Sequence, residues 1–485
     1  MKHRNIIFCG LCLVYGTVLA GSPEPIYMKE MPALAKSSQL SFPKVHRDKL
    51  YNGISVLWIQ DDKIPAVYGQ LRFLAGMRTE SVEHMGLSQL TSSMLMEGYG
   101  DKTAAQLSQE MDQLGSDLST AIGDYGISYS FSSLKDSFGE TIALLSDLVQ
   151  HPRWDQGSFD RLHSDQVQNV AYQRTDPDSQ AFEILSQELY GKHWQGFFSS
   201  GTPASVKNLS LDQVKKYYGD FIRPEQAVLT IVGDLQKEDL LSSLNQSIGS
   251  WKVEAKYAMP EIPGLNEIPK FDLQKKVAIY DRPEAVQTVI VMGKPVKGFA
   301  KSTYPKARLI DIVIGGSFTS VLNQNLREKH GYTYSARSSS WLHRQAGFWM
   351  IQTSVKSDTT GKALEEIYKE FTKIQQKGFS KDQIQKGKKL LQAQLVESVD
   401  SFEDLNNQIN ATDLLGIPTD FYFKVQKKVN RLTPKRVKKV AKQMLDWKDF
   451  DIVLVGDRKS IEAQLKDIDP QVISEKPIHT AELRP

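Results

Sequence analysis

Leu209-Ser210-Leu211-Asp212-Gln213-Val214, with Ala227-Val228-Leu229-Thr230-Ile231-Val232-Gly233-Asp234 downstream, decides how the chain is built. The first segment reads as a helix start capped by Ser210, whose hydroxyl can satisfy a free amide of the first turn. The second reads as a buried strand running into a glycine turn. The pair recurs at Leu432-Thr433 to Val437 and at Phe450-Asp451-Ile452-Val453-Leu454-Val455-Gly456-Asp457. Ser210 to Gly233 and Thr433 to Gly456 are both 23 residues apart. Equal spacing of the same residue classes indicates a duplication. The period, about 200 residues, far exceeds the 20–50 of repeat arrays.

Each unit mixes strands and helices. The first is expected to hold strands at 54–59, 67–74 and 127–131, where Ile127-Ser128-Tyr129-Ser130-Phe131 alternates as a half-buried strand. Helices are expected from Gly86, at 103–114, around 138–150 and at 156–174. The second unit is expected to hold strands at 275–280, 287–293, 332–340 and 346–355. Its helices are a helix ending at Gly315-Gly316 and helices at 360–377 and 380–400. Segregated strands and helices point to α+β units. The domain reading is 45–250 and 273–469, joined by a linker at 251–272 that carries Pro260, Pro263, Gly264 and Pro269. Residues 470–485 read as a loose tail.

The start is a leader. Lys2, His3 and Arg4 precede an apolar run from Ile6 to Leu19 that ends Val18-Leu19-Ala20-Gly21. This is the pattern of a signal peptide over 1–20, cleaved after Ala20, with 21–44 as an N-terminal extension. An uncleaved anchor is the alternative, but Gly10 and Gly16 interrupt a run already short for a span. Cleavage lowers the formal charge from +3 to +1 by removing Lys2 and Arg4. That balance argues against a nucleic-acid binder. Both cysteines, Cys9 and Cys12, lie in the leader. The mature chain would then have no disulfide, thiol nucleophile or thiolate metal site. A cysteine-free exported protein suggests a bacterial periplasm, with no stable membrane span after cleavage.

Gly86-Leu87-Ser88-Gln89-Leu90-Thr91-Ser92-Ser93-Met94-Leu95-Met96-Glu97-Gly98 places Gln89, Ser92 and Ser93 on one helix face. The frame resembles that of the inverted zinc peptidases, the pitrilysin or M16 family, whose typical stretch is Gly-Leu-Ala-His-x-x-Glu-His-Met-Leu-x-x-Gly-Thr. The resemblance extends over about 45–460. It is carried by Asn52-Gly53-Ile54, Gly201-Thr202-Pro203, Arg223-Pro224, Gly315-Gly316-Ser317-Phe318-Thr319-Ser320, and Leu326-Arg327-Glu328-Lys329-His330-Gly331-Tyr332-Thr333-Tyr334-Ser335. It implies two homologous halves, each an antiparallel sheet with helices on one face, forming a clam-like chamber.

In such a member Gln89, Ser92 and Ser93 stand where two zinc ligands and the general base belong. The third ligand, a Glu, falls near Asn169, where no carboxylate is present. Zinc takes His, Cys or carboxylate donors, and these residues supply none. The remaining histidines form no H-x-x-E-H or H-E-x-x-H pair. Arg327 and Tyr334 match the family's Arg/Tyr pair, which the resemblance implies hydrogen-bonds the substrate carbonyl and stabilises its oxyanion. Ser116, Asp117, Ser119 and Thr120 fall in a segment that resembles the family's substrate-pairing edge strand. A plain structural strand is equally compatible with it. The basic stretch Lys424–Lys442 reads as mostly a solvated helix face.

These residues lead to an expected function. The chain would be the non-catalytic subunit of a two-chain M16 metallopeptidase. Its partner would be a homologous subunit carrying H-x-x-E-H and the zinc, and its substrate a peptide or unfolded protein. No cofactor would be bound by this chain itself. A non-enzymatic scaffold or peptide-binding protein is the alternative.

Overall fold

A computed structural model describes residues 41–253, 276–297, 301–342, 346–473 and 476–483. The leader, the extension up to residue 40, residues 254–272 of the expected linker and the first three residues of the expected second domain lie outside the described residues.

The first half holds β1 (His46–Lys49), β2 (Ser55–Gln60), β3 (Ala66–Phe73), the short ribbon β4 (Gly98–Tyr99) with β5 (Lys102–Thr103), β6 (Asp117–Gly123), β7 (Gly126–Leu134) and β8 (Ala227–Gly233). Its helices are α1 (Leu87–Leu95), α2 (Ala104–Leu114), α3 (Phe138–Gln150), α4 (Gln156–Gln173), α5 (Pro177–Tyr190), α6 (Pro203–Lys207), α7 (Leu211–Phe221) and α8 (Lys237–Gln246). The second half holds β9 (Val277–Asp281), β10 (Gln287–Lys297), β11 (Thr333–Leu342), β12 (Ala346–Lys356), β13 (Asp451–Gly456) and β14 (Ile478–Thr480). Its helices are α9 (Tyr304–Ile314), α10 (Thr360–Lys377), α11 (Lys381–Glu397), α12 (Phe402–Leu414), α13 (Phe421–Asn430), α14 (Pro434–Met444), α15 (Arg458–Asp467) and α16 (Pro470–Ile473).

The two sheets repeat one strand order, β2-β8-β3-β7-β6 and β9-β13-β10-β12-β11. Most neighbours run antiparallel, but β2 with β8 and β9 with β13 are parallel. The outer strand differs. β1 closes the first sheet antiparallel to β2, whereas β14, from the expected loose tail, runs parallel to β9.

The duplicated helix starts also differ in chemistry. Ser210 forms a full capping box with Gln213, its own amide donating to Gln213 Oε1 at 2.8 Å. Thr433 makes no side-chain cap. The third residue of that helix is Arg436, which has no acceptor to return, and Pro434 fixes the first turn instead.

Each sheet is largely apolar on both faces, which explains the unbroken run Ile452–Val455 and the run Val228–Val232, broken only by Thr230. In β2, Val56 and Trp58 face α1, α3 and α7, and Leu57 and Ile59 face the opposite side. That opposite side is covered by Leu405 and Ile409 of α12, from the second half. Conversely, Val289, Val291, Val453 and Val455 of the second sheet are covered by Ile184, Leu185 and Leu189 of α5, from the first half. The repeat offset of 223 (433 minus 210) carries α5 onto residues 400–413, so α5 and α12 are the same element exchanged reciprocally. Each apolar side chain so buried contributes about 1.5–3 kcal/mol. Helices on one face only, the expected arrangement, therefore describes each half taken alone. In the chain both faces are covered.

The seam also carries polar contacts. Arg72 of β3, 3% exposed, donates to Asp413 of α12 at 2.6 Å. Asn410 donates to Thr230 at 2.7 Å, and Thr230 donates to Asn406 at 2.9 Å. On the other side, Arg282 donates to Gln180, and Glu188 accepts from Lys276. Among the described residues, no helix is long and apolar enough to cross a membrane.

Candidate functional site

Helix α1 starts at Gly86, whose φ of 95° is open to glycine and strained for other residues. A Cβ there would meet Gln166 Nε2 and Ser200 O, both at 2.7 Å. The Gly201-Thr202-Pro203 turn closes over this point. Ser205, in the capping box of Thr202, donates to Met85 O at 2.8 Å. Glu80 supplies a carboxyl cap for α1, accepting from the Gly86 amide at 3.4 Å and from the Ser88 amide.

Glu80 is half-buried, and desolvation of its carboxyl raises the pKa from 4.5 to about 7, against the pull of the Ser88 and Gly86 amides. The folded state therefore holds a proton that the unfolded chain releases between those values. This contribution to stability is fully present below pH 4.5 and is lost as pH rises through 7. Glu80→Gln should flatten the change. Between pH 5 and 7.5 the wild type should lose about 2–3 kcal/mol more than the variant, measured by denaturant unfolding at both pH values.

Gln89, Ser92 and Ser93, expected at the zinc positions, share a face of α1 but not a role. Gln89 and Ser93 are half-buried, and Ser92 is fully buried. Ser92 Oγ lies 2.5 Å from Thr120 Oγ1 on β6, and Thr120 donates to Ser128 O at 3.1 Å. Beneath them sits Tyr129, wholly buried, and burial holds its phenol far above the ordinary value against the pull of Ser92 and Thr120. Asn169 is not part of this cluster, since it lies exposed on α4. The α4 residue that reaches α1 is Gln166, which donates to Gly86 O at 2.9 Å and Ser200 O at 3.0 Å. No sequence signal singles out Gln166 among the several glutamines of that helix.

Hydroxyls already bonded to each other, an amide and a committed helix cap do not fit zinc, which takes imidazole, thiolate or carboxylate donors. Among the described residues, no three His, Cys, Asp or Glu side chains converge as a metal-binding group.

Strand β6 is the outer strand of its sheet and pairs only with β7. Ser116 and Thr120 turn inward, Ser116 Oγ meeting Thr141 Oγ1 at 2.7 Å. Asp117 and Ser119 are exposed.

Arg327 and Tyr334 stand on two irregular elements of the second half. Arg327 belongs to a π-helical turn, Asn323–Lys329, in which the His330 amide reaches back to Asn325 O at 3.2 Å. Such turns are rare and cluster at functional sites. The Arg327 guanidinium lies 3.9 Å above the exposed ring of Phe318. Its nearest acid, Glu328, is 3.7 Å away, so the donor fork is largely open. Tyr334 is 87% exposed and sits in a β-bulge of β11, between Thr333 and Ala336. A bulge re-aims side chains on an edge strand. No hydrogen bond or ring contact joins Arg327 to Tyr334.

Asn323 ties these two elements together. Its side-chain amide donates to Ser317 O at 2.9 Å and Ala336 O at 3.0 Å, and its carbonyl accepts from the Ala336 amide at 2.8 Å. Gly315 lets α9 end against the same strand, where a Cβ would meet the Ser338 amide at 2.4 Å. Asn323→Ala should therefore cost about 2–3 kcal/mol in denaturant unfolding, because it orphans buried backbone groups.

Two family models match the chain in tandem. The insulinase family model (peptidase family M16) covers residues 55–197, and the peptidase M16 inactive domain covers 208–391. The chain belongs to the M16 peptidase family. It is similar to a Helicobacter pylori protein called non-peptidase homolog YmxG, 22% identical over 431 residues, spanning 87% of this chain and 96% of that one. A Bacillus subtilis protein, called uncharacterized zinc protease YmxG, is 20% identical, over 85% of this chain and 98% of that one. Among solved structures, a peptidase M16 inactive domain from Pseudomonas fluorescens gives a TM-score of 0.76 at 23% identity, over 85% of this chain and 98% of that one. These likenesses show the fold of this M16 chain. The match to the M16 inactive-domain model and the likeness to a non-peptidase homologue support a non-catalytic M16-like protein.

Proposed function

We propose that this M16 chain is the non-catalytic subunit of a two-chain zinc peptidase. It supplies Arg327, Tyr334 and half of a peptide-binding chamber. The observation that carries the reading is the open guanidinium of Arg327, held on a π-helical turn that packs against β11, the strand bearing the exposed, re-aimed Tyr334. A permanent cation and a phenol with free donors can bind a peptide carbonyl and the oxyanion that forms from it. The zinc and the general base belong to a homologous partner with H-x-x-E-H. The leader sends this chain to the periplasm, where peptides or unfolded proteins are the substrates.

Reconstitution tests this. The purified chain, a zinc-bearing M16 chain and a quenched peptide are combined. Cleavage should be strong only when both chains are present. A mixture no faster than the zinc-bearing chain alone would overturn the reading. A second reading, a peptide-binding scaffold, draws on the name of the Helicobacter pylori relative. It predicts a stable complex whose properties ignore Arg327 and Tyr334.

A further inference from the structure

The stretch from Phe421 to Leu445 carries nine cations and no acid, against a formal charge of only +3 for the whole chain. The sequence suggested a single solvated helix. The structure instead breaks it at Thr433-Pro434 into α13 and α14, and each has a sharp basic face. On α13, Lys424, Lys427, Lys428 and Arg431 are exposed at helical spacing, opposite buried Val425 and Val429. On α14, Lys435, Lys439 and Lys442 are exposed opposite Val437, Ala441 and Met444. The connection between the two helices is held where Arg436 donates to Arg431 O at 3.2 Å.

Lys424 is neutralised by Asp420 at 2.7 Å, and Lys438 donates to Gln376 O. Among the described residues, no acid pairs with Lys427, Lys428, Arg431, Lys435, Lys439 or Lys442.

We infer that this face binds an anionic lipid bilayer. Its composition selects that occupant. Packed protein interfaces favour arginine and aromatic residues and are depleted of lysine. Here five of the six unpaired cations are lysines, and no large apolar side chain of α13 or α14 is exposed. Hydrated point charges on a face without an apolar anchor suit a diffuse layer of phosphate headgroups. The leader would take the chain away from nucleic acid. This inference stands apart from the two-chain peptidase reading, since it uses none of the same residues.

The test is vesicle co-sedimentation of the full chain. Vesicles of phosphatidylcholine with phosphatidylglycerol should bind it, and pure phosphatidylcholine should not. Binding should fade as salt is raised, because screening shortens the reach of each charge. The variant Lys427→Glu/Lys428→Glu/Lys435→Glu/Lys439→Glu should bind anionic vesicles about 10²–10³-fold more weakly. Circular dichroism and thermal melting report whether it folds. A control with as many reversals elsewhere, Lys49→Glu/Lys207→Glu/Lys215→Glu/Lys362→Glu, should keep most of the binding. Equal binding by the patch variant, equal loss by the control, or indifference to lipid charge would overturn the inference. So would a patch variant that keeps its vesicle binding but loses a zinc-bearing M16 partner, which would make the face a protein interface.

Discussion

Asp413→Ala is expected to lower the unfolding free energy by about 3–5 kcal/mol, measured by denaturant unfolding. The carboxylate lies 2.6 Å from a guanidinium that is 3% exposed, and Arg72 Nε also donates to Asn410 at 3.4 Å. Removing the acid takes away the anion 2.6 Å from a buried positive charge. The loss should exceed that of Arg72→Met, which leaves behind a carboxylate already 28% exposed. The double variant Arg72→Met/Asp413→Leu should recover at least half of the loss, because apolar replacement of a buried pair is often near neutral. With Asp413→Leu measured alone beside Arg72→Met, strict additivity in the double variant would mean that the pair is not coupled across the seam.

The second large effect belongs to the two-chain reading. In the reconstituted enzyme, Arg327→Ala should lower kcat by about 10²–10³-fold while assembly, followed by size-exclusion chromatography, is unchanged. The change removes a donor needed more by the developing oxyanion than by the ground-state carbonyl. KM should therefore move less than kcat. Arg327→Lys should rescue little, because an ammonium offers neither the planar fork nor the stack on Phe318. Tyr334→Phe should cost less than Arg327→Ala, since it deletes one neutral donor. Full activity in both variants would remove them from the mechanism.

The duplication was legible because cap, strand and turn recur at one spacing, and long apolar periods report on secondary structure reliably. α3 and α4 begin and end close to where their periodicity ends. α5 and α12 escaped notice. Each buries its apolar side against the other half, so nothing local rewards its pattern. The residues at the zinc positions were readable by identity, but their use was not. Ser92 joining Thr120 depends on β6 lying beside α1, and Asn169 pointing outward depends on the rotation of α4. The π-helical turn under Arg327 and the bulge at Tyr334 are departures from regular geometry. Propensity carries no warning of either.

The exchanged helices also bear on how such a chain is inherited. Neither copy can be taken out and used elsewhere, because each would leave behind the helix that roofs its own sheet and carry off one that fits nothing. A cut within the connection at 251–272 should yield two fragments that stay clasped. Either fragment made alone should aggregate through a bare valine and isoleucine surface. Each half is one side of an interlock, and changes at residues 177–190 are judged by a sheet whose strands lie between residues 277 and 480.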